Sequence, residues 1–328
     1  MPRALWARFG RSGLMEAGKA LMLPPAGGHN SWARAVHCGT VFLLGSMRRV
    51  PAAAGAVRRQ PMAPVGGITF LVTGATGGIG RAFVESLAGS GAQVIVHGRS
   101  AQRVEETARA LSAKGVEATG LIADLASLDE TARLAEQALA LGRPIDVLIN
   151  NAGVGFGRDR RRRETSRDGF ELRFAVNYLA PVLLTRKLLA GGMPRRAVVN
   201  VASAGQEALD LDDLQSTRHY DGVQAYRRSK LALICFTFDL AEETKVAVNA
   251  LHPGTFLDSG MVRESGIRPL GPASRGAESI RFVVEQSLGG VTGRYFDERE
   301  PSEPDPQARD RALRRALAAH TQEFLARF

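Results

Sequence analysis

Three side chains of this 328-residue chain have the types and spacing needed to move a proton. Tyr226 and Lys230 are four residues apart, so on a helix the phenol and the ammonium face the same cleft. A positive charge about 4 Å away would lower the pKa of the phenol from its ordinary value near 10. Ser203 follows an apolar run and can hydrogen-bond a carbonyl oxygen. The pattern is compatible with acid–base chemistry, but taken alone this spacing is usually a solvated helix face, and Ser203 would be a turn serine or a helix cap.

A glycine-rich turn follows the first apolar run and opens a helix. Glycines let the backbone approach a diphosphate, and the free N–H groups at the helix start stabilise its negative charge. The spacing is Gly-x-x-x-Gly-x-Gly, and the alternative is a merely flexible strand-to-helix turn. We expect a dinucleotide site that includes Gly74, Thr76, Gly78, Ile79 and Gly80.

Arg99 stands at the end of the second predicted strand. An NAD site usually has a carboxylate near this position, which accepts a hydrogen bond from the ribose 2′-hydroxyl. A guanidinium instead pairs with a 2′-phosphate, and no Asp or Glu lies between Gln93 and Arg103. The sequence therefore predicts NADP(H) rather than NAD(H), with a solvated surface arginine as the alternative.

Taken together, in this order and at these strand ends, the motifs resemble the short-chain dehydrogenase/reductase superfamily. The resemblance spans about residues 67–297, and several segments are closer to the retinol-dehydrogenase-like branch. These segments are Asp168-Gly169-Phe170-Glu171, Leu211-Asp212-Asp213-Leu214, Ala225 to Ala232, and Val291 to Phe296. The resemblance implies a single Rossmann-type domain and NADP-linked oxidation or reduction of an alcohol/carbonyl pair.

The resemblance also implies a role for each matching residue. Tyr226 would donate and accept the proton, Lys230 would hold the nicotinamide ribose and lower the phenol pKa, and Ser203 would orient the substrate oxygen. Asn177 would support a water-mediated proton path from Lys230 to solvent. Residues lining the cofactor would be Asp124 at the adenine, Leu125, Asn151, Ala152 and Gly153, and Pro253 and Gly254 near the nicotinamide.

Two segments depart from the commonest pattern of the superfamily. The segment Ala204–Ala225 separates Ser203 from Tyr226 and is long. We expect it to form a wall or lid of the substrate site, although a loop of this length can also be disordered. The arginine-rich run Arg158–Arg163 lies near the expected substrate entrance, and we interpret it as a solvated loop rather than an attractor of anionic substrates.

The elements that must position these residues are alternating apolar runs and amphipathic stretches from Ile68 onward. Continuous apolar runs predict strands that are covered on both faces. Such an alternation predicts a single doubly wound α/β domain over residues 67–300, with a mostly parallel sheet of about seven strands and helices on both faces. Residues 301–328 are predicted to be a linker and a helix, which docks on its own domain or on a second subunit.

The basic charge is concentrated at the N-terminus. Residues 1–66 hold eight arginines, one lysine and one acid, which account for +8 of the formal net charge of +10. The balanced remainder argues against a nucleic-acid-binding face, and the longest apolar run, Ala35–Met47, is too short for a transmembrane segment. We interpret residues 1–66 as a disordered extension, a targeting segment or a mis-assigned start, with Met62 a natural first residue.

The sequence therefore predicts a cytoplasmic NADP(H)-dependent oxidoreductase that acts on an apolar alcohol or carbonyl compound. Cys38 and Cys235 do not form a disulfide framework, and we expect no metal site. Whether the protein is a homo-oligomer is left open. The alternative is a non-catalytic NADP(H)-binding sensor of the same fold, which would have no need of Ser203, Tyr226 and Lys230.

Overall fold

The computed structural model describes residues 65–328, so all but the last two residues of the predicted N-terminal extension lie outside the described part. Strands and helices alternate along this part of the chain, as the apolar pattern predicts. The strands are β1 (Thr69–Val72), β2 (Gln93–Gly98), β3 (Glu117–Ile122), β4 (Val147–Asn150), β5 (Ala197–Val201), β6 (Ala247–His252), β7 (Arg294–Asp297) and β8 (Glu300–Ser302).

The eight strands form one sheet in the order β3-β2-β1-β4-β5-β6-β7-β8. All neighbours are parallel except β7 and β8, which form an antiparallel pair. The predicted doubly wound fold is confirmed, with one strand more than the seven expected, since Glu300–Ser302 is short and polar. The strand order reverses between β1 and β4, and in such sheets ligands bind at the carboxyl ends of the strands beside this point.

Helices cover both faces of the sheet. They are α1 (Gly78–Glu85), α2 (Ala101–Ser112), α3 (Leu128–Ala140), α4 (Leu172–Phe174), α5 (Ala180–Ala190), α6 (Gly222–Glu243), α7 (Gly260–Glu264), α8 (Ala273–Leu288) and α9 (Arg311–Leu325). One core packs α3, α5, α6 and α9 against the sheet, and the other packs α1, α2 and α8. Successive strand residues alternate between the two cores, with Leu71 in the first and Phe70 and Val72 in the second. No helix within residues 65–328 has the length and apolarity needed to cross a membrane.

The third strand differs from its prediction. It was expected to be covered on both faces, yet its residues are exposed or only half-buried, and Ile122 is 51% exposed. The reason is its place in the sheet, because β3 is an edge strand that pairs only with β2. A short apolar run cannot reveal whether its strand has one neighbour or two.

The helix that carries Tyr226 and Lys230 begins at Gly222, four residues before Tyr226. The side chain of Asp221 caps it by accepting hydrogen bonds from the N–H groups of Val223 and Gln224, at 2.8 and 2.9 Å. Tyr226 therefore lies within the second turn rather than at a frayed end, which fixes its direction.

The C-terminal helix α9 packs on its own domain. Arg314 is buried and forms ion pairs with Asp239 at 3.1 Å and Glu242 at 2.9 Å, both on α6. Thr321 shares a buried 2.8 Å hydrogen bond with the Tyr178 hydroxyl. Of the two docking modes left open by the sequence, the structure shows the intramolecular one.

Candidate active site

Ser203, Tyr226 and Lys230 meet beyond the carboxyl end of β5. Ser203 is two residues past the strand, and its side chain lies close enough to the phenol of Tyr226 to influence the pKa of that group. The Nζ atom of Lys230 lies 5.8 Å from the centre of the Tyr226 ring and donates a 2.8 Å hydrogen bond to the carbonyl oxygen of Val201. Ser203 and Lys230 are buried, whereas Tyr226 is half-buried.

Asn177 lies beside this group on a short π-helical segment, Ala175–Leu179. Such π-turns are frequent at functional sites. Its side-chain oxygen accepts a 2.8 Å hydrogen bond from the N–H of Val154, and its amide nitrogen donates to Ser229 Oγ at 3.0 Å and to the Val154 carbonyl at 3.1 Å. A Cβ atom on Gly153 would lie 3.0 Å from the Asn177 oxygen and 3.6 Å from Lys230 Nζ, so glycine lets the loop after β4 come this close.

Burial decides the electrostatics of the pair Tyr226 and Lys230. Burial raises the pKa of the Tyr226 phenol above its ordinary value of 10, and the neighbouring Ser203 side chain offsets only part of this rise. Burial also lowers the pKa of Lys230 to about 8. The pKa of the phenol is therefore raised, whereas the sequence predicts that it is lowered, because burial is the largest influence on it. Tyr226 is a protonated phenol at neutral pH.

The glycine turn and the loop after β4 are bound to each other. The hydroxyl of Thr73 accepts hydrogen bonds from the N–H groups of Asn151 at 2.9 Å and Ala152 at 3.0 Å. The amide nitrogen of Asn151 donates to the Thr73 carbonyl at 2.9 Å. Gly74 has a φ of 65°, and a Cβ atom there would lie 2.9 Å from the Ala152 Cα. Two motifs that are far apart in sequence therefore form one surface.

The glycine turn ends at the start of α1, where the backbone is suited to bind an anion. Gly77 is extended at the helix start and offers no side-chain cap, so the first N–H groups of α1 have no side-chain partner. Thr76 lies in the turn and Ile79 in the first helical turn. A Cβ atom on Gly80 would lie 2.5 Å from the Gly74 carbonyl oxygen, whereas one on Gly78 would lie 3.0 Å from Ser259.

The residues after β6 reach the same edge of the sheet. Pro253 and Gly254 follow β6 directly and are buried, and Gly254 has a φ of 132°. The chain then continues to Ser259, which caps α7 and lies next to the position of Gly78. The predicted nicotinamide end and the predicted diphosphate end of the cofactor site therefore belong to one continuous edge.

Two arginines lie at the opposite end of this edge. Arg99 is exposed directly after β2, as the sequence predicts. Arg103, which the sequence analysis did not single out, lies on α2 and donates a 2.8 Å hydrogen bond to the carbonyl oxygen of Thr76. Asp124 follows β3 and lies 3.5 Å from Arg167, and the next residue, Leu125, is buried.

His97 is a second residue that the sequence analysis did not single out. It is buried in β2, where its Nδ1 atom accepts a 3.3 Å hydrogen bond from the N–H of Gly74 and its Nε2 atom donates to the Ala123 carbonyl at 3.0 Å. Burial lowers the pKa of His97 to about 4, so the ring is neutral and can accept. The only indication of this role in the sequence was a single histidine within an apolar strand.

An aromatic side chain packs against the ring of Tyr226. Phe156, in the loop after β4, packs edge to face against Tyr226, with ring centres 5.0 Å apart. Arg160 places its guanidinium 5.7 Å from the Phe156 ring, and its carbonyl oxygen accepts a 2.8 Å hydrogen bond from Gly222 N at the start of α6. Arg158, Arg161 and Arg162 are exposed, as the interpretation of a solvated loop requires.

A buried ionic cluster supports the same loop. Arg173 is 1% exposed and donates to Glu171 at 3.3 Å, to Glu164 at 2.6 Å and to the Gly155 carbonyl at 2.9 Å. The Tyr220 hydroxyl donates to Glu171 at 3.0 Å. The segment Ala204–Ala225 is thus held by the protein and contains a short 3₁₀ turn at Leu211–Asp213.

The family of the chain follows from comparison with known proteins. The chain belongs to the short-chain dehydrogenase family, whose model matches residues 69–268. It is 33% identical to retinol dehydrogenase 13 of Homo sapiens over 291 residues, which covers 80% of this chain and 86% of that protein. The resemblance to retinol dehydrogenases is therefore confirmed, and the chain is an oxidoreductase by family.

Solved structures support the same fold. An uncharacterised protein from Mycobacterium Paratuberculosis is 26% identical with a TM-score of 0.66, covering 81% of this chain and 96% of that one. A blue fluorescent protein from a metagenomic library, in complex with NADPH, is 27% identical with a TM-score of 0.58, covering 72% and 97%.

Proposed function

We propose that this protein is an NADP(H)-dependent oxidoreductase that interconverts an apolar alcohol and its carbonyl compound, with Tyr226 as the general acid and base. The observation that carries the proposal is the group at the end of β5, where the Ser203 side chain acts on the Tyr226 phenol and Lys230 Nζ lies 5.8 Å from the Tyr226 ring. A sensor that only binds a dinucleotide has no use for a proton donor at this position.

The edge of the sheet fits a dinucleotide. The uncapped start of α1 and the glycine turn would hold the diphosphate, and Arg99 would pair with a 2′-phosphate. The other residues proposed to line the cofactor are Asp124, Leu125, Asn151, Ala152, Gly153, Tyr226, Lys230, Pro253 and Gly254. When bound, the nicotinamide would supply or accept the hydride. The NADPH complex of a structural relative supports this choice of cofactor.

The raised pKa of Tyr226 suits carbonyl reduction. Negative charge develops on the substrate oxygen as its carbon is reduced, and a protonated phenol beside that oxygen stabilises the charge and donates its proton. Ser203 orients the oxygen through its hydroxyl. Lys230 keeps a positive charge near the resulting phenolate, which limits the cost of forming it in a buried site.

Proton return to Tyr226 is proposed to pass Lys230 and Asn177. The side-chain amide of Asn177 is already bonded to Val154 and Ser229, so it fixes the loop after β4 next to Lys230. In this proposal a water held between Lys230 and the Asn177 segment completes the path to solvent.

The substrate site is proposed to be largely apolar at the reacting group. Phe156 packs against Tyr226 and excludes water from the phenol, and the segment Ala204–Ala225 forms the opposite wall. The name of the relative, retinol dehydrogenase 13, supports an apolar alcohol or aldehyde. We retain the cytoplasmic location and the absence of a nucleic-acid partner as predictions.

The test is to follow NADPH absorbance with the purified full-length protein and a panel of apolar aldehydes, ketones and alcohols. We expect turnover with at least one carbonyl compound, and a dissociation constant for NADPH below that for NADH. If NADPH binds and no compound of the panel is reduced or oxidised, the sensor interpretation replaces the enzyme. Tyr226→Phe provides the matched control for turnover that does not depend on this site.

A further inference from the structure

The main chain at Ser203 is held by side chains rather than by the sheet. Strand β5 ends at Val201, so the carbonyl group of Ser203 has no strand partner. It accepts one hydrogen bond from the Tyr295 hydroxyl at 3.0 Å and another from the Gln206 amide nitrogen at 3.1 Å. A buried carbonyl oxygen requires donors, and here both come from side chains that no part of the proposed reaction uses.

The two hydrogen bonds to the Ser203 carbonyl group also affect the direction of the Ser203 hydroxyl. The hydroxyl accepts a 3.0 Å hydrogen bond from the N–H of Gly205, within the same turn, and it influences the pKa of the Tyr226 phenol. The turn from Ser203 to Gln206 therefore sets where the hydroxyl points. If the peptide after Ser203 rotated, the Gly205 N–H would move with it and the hydroxyl would lose its direction toward the phenol.

The C-terminal part of the chain fixes the other end of Gln206. The side-chain oxygen of Gln206 accepts a 2.8 Å hydrogen bond from the N–H of Asp305, and the side-chain oxygen of Gln307 accepts one of 2.7 Å from the N–H of Leu209. Asp305 caps the 3₁₀ turn Pro306–Arg309, in which Ala308 is fully buried in the core. Asp305 and the turn Pro306–Arg309 lie beyond the part matched by the family model, which ends at residue 268.

We propose that Tyr295 and Gln206 are positioning residues of the active site, which hold the Ser203 hydroxyl toward Tyr226 through the Ser203 carbonyl group, and that Asp305 keeps Gln206 in place. This inference rests on the proposed function. The C-terminal segment thus completes the site, although none of its residues contacts the reacting groups. Tyr295 is 2% exposed and lies on β7, so its hydroxyl cannot turn to water as an alternative partner.

The variants Tyr295→Phe, Gln206→Leu and Gln206→Glu separate the contacts. Tyr295→Phe deletes one donor to the Ser203 carbonyl, and Gln206→Leu deletes both bonds of Gln206. Gln206→Glu can still accept from Asp305 but no longer donates to Ser203. Tyr178→Phe is the matched control, because Tyr178 is equally buried at 2%, bonds only Thr321, and does not contact Ser203.

We expect kcat for carbonyl reduction to fall about fivefold to tenfold in each of the three variants, while the dissociation constant for NADPH changes less than about twofold. Tyr178→Phe should lower Tm by a similar amount to Tyr295→Phe and leave kcat within about twofold of the wild type. Equal loss of kcat in Tyr178→Phe would show that stability alone is responsible and would overturn the inference, as would a Gln206→Glu variant with wild-type kcat.

A second readout does not depend on turnover. The chain has four tyrosines, so protein labelled with 3-fluorotyrosine gives four fluorine resonances, and Tyr226→Phe identifies the one from Tyr226. We expect Gln206→Leu to shift the Tyr226 resonance and Tyr178→Phe to leave it in place. If the wild type reduces no carbonyl compound, the proposed function fails while this shift still tests the positioning. An unmoved resonance in Gln206→Leu contradicts the inference whether or not the protein is active.

Discussion

The side-chain ammonium of Lys230 donates a 2.8 Å hydrogen bond to the main-chain carbonyl oxygen of Val201, the last residue of β5. This bond ties the middle of α6 to the strand that leads to Ser203. Since both groups are buried, the ammonium is removed from water and its pKa falls to about 8, from an ordinary value of 10.5. The positive charge of Lys230, which the proposed reaction needs, is therefore lost within a pH range that is accessible to assays.

Carbonyl reduction is expected to slow on the alkaline side because of Lys230. As pH rises through about 8, the ammonium loses its proton, and kcat/KM should fall by about tenfold per further pH unit. The profile of kcat/KM from about pH 6 to about pH 10 measures this, since it reports groups of the free enzyme. Lys230→Arg keeps its charge over this range, so it should be slower throughout and lack the alkaline fall. If kcat/KM of Lys230→Arg falls at alkaline pH as it does in the wild type, a group other than Lys230 is responsible for the fall.

Removal of the Tyr226 hydroxyl is expected to abolish turnover without weakening cofactor binding. Tyr226→Phe retains the ring and its edge-to-face contact with Phe156, so the site keeps its shape. Loss of the proton donor should reduce kcat by about a hundredfold to ten-thousandfold, while NADPH binding, followed by fluorescence, stays within about twofold. Wild-type rates in Tyr226→Phe would refute the proposed mechanism.

Reversal of the charge at Arg99 is expected to change cofactor preference. Arg99→Asp removes the proposed partner of the 2′-phosphate, so the ratio of the dissociation constants for NADPH and NADH should shift toward NADH by about tenfold or more. Arg109→Asp is the matched control, because Arg109 is exposed like Arg99 but lies on α2, where it pairs with Glu105. An equal shift in the control would indicate a general effect of charge. An unchanged ratio in Arg99→Asp would place the 2′-phosphate elsewhere.

Acid is expected to destabilise the fold through His97. Its pKa is about 4 in the folded protein and 6.5 when unperturbed, so between these values the unfolded chain binds a proton that the folded protein does not. The stability contributed by the neutral ring is complete above about pH 6.5. It is lost as pH falls toward about 4, by up to about 3 kcal/mol.

Urea unfolding across this pH range provides the measurement. His97→Gln cannot titrate but can still accept from Gly74 N and donate to the Ala123 carbonyl, so its free energy of unfolding should fall less steeply with acid than that of the wild type. His219→Gln, at an exposed position, should follow the wild type. If His97→Gln and the wild type lose stability in parallel, the neutral-ring interpretation is wrong.

Several features of this protein were predictable because they depend on neighbours in sequence. The spacing of Tyr226 and Lys230 on one helix face follows from 3.6 residues per turn, and the glycine turn follows from the backbone freedom that Gly74 requires at a φ of 65°. The doubly wound sheet follows from apolar runs alternating with amphipathic helices. These patterns depend on residues that are close together along the chain. The sequence by itself therefore determined the fold, the family and the set of candidate site residues.

The tertiary structure decided what depends on distant segments. Tyr295 is 92 residues from Ser203, and no local pattern predicts that its hydroxyl meets the Ser203 carbonyl. The pKa of Tyr226 is raised, whereas the sequence predicts that it is lowered, because burial, its largest influence, is produced by all the elements around the group. Spacing along the chain identifies the reactive groups, whereas their solvation and their hydrogen-bond partners exist only once the whole domain has packed around them.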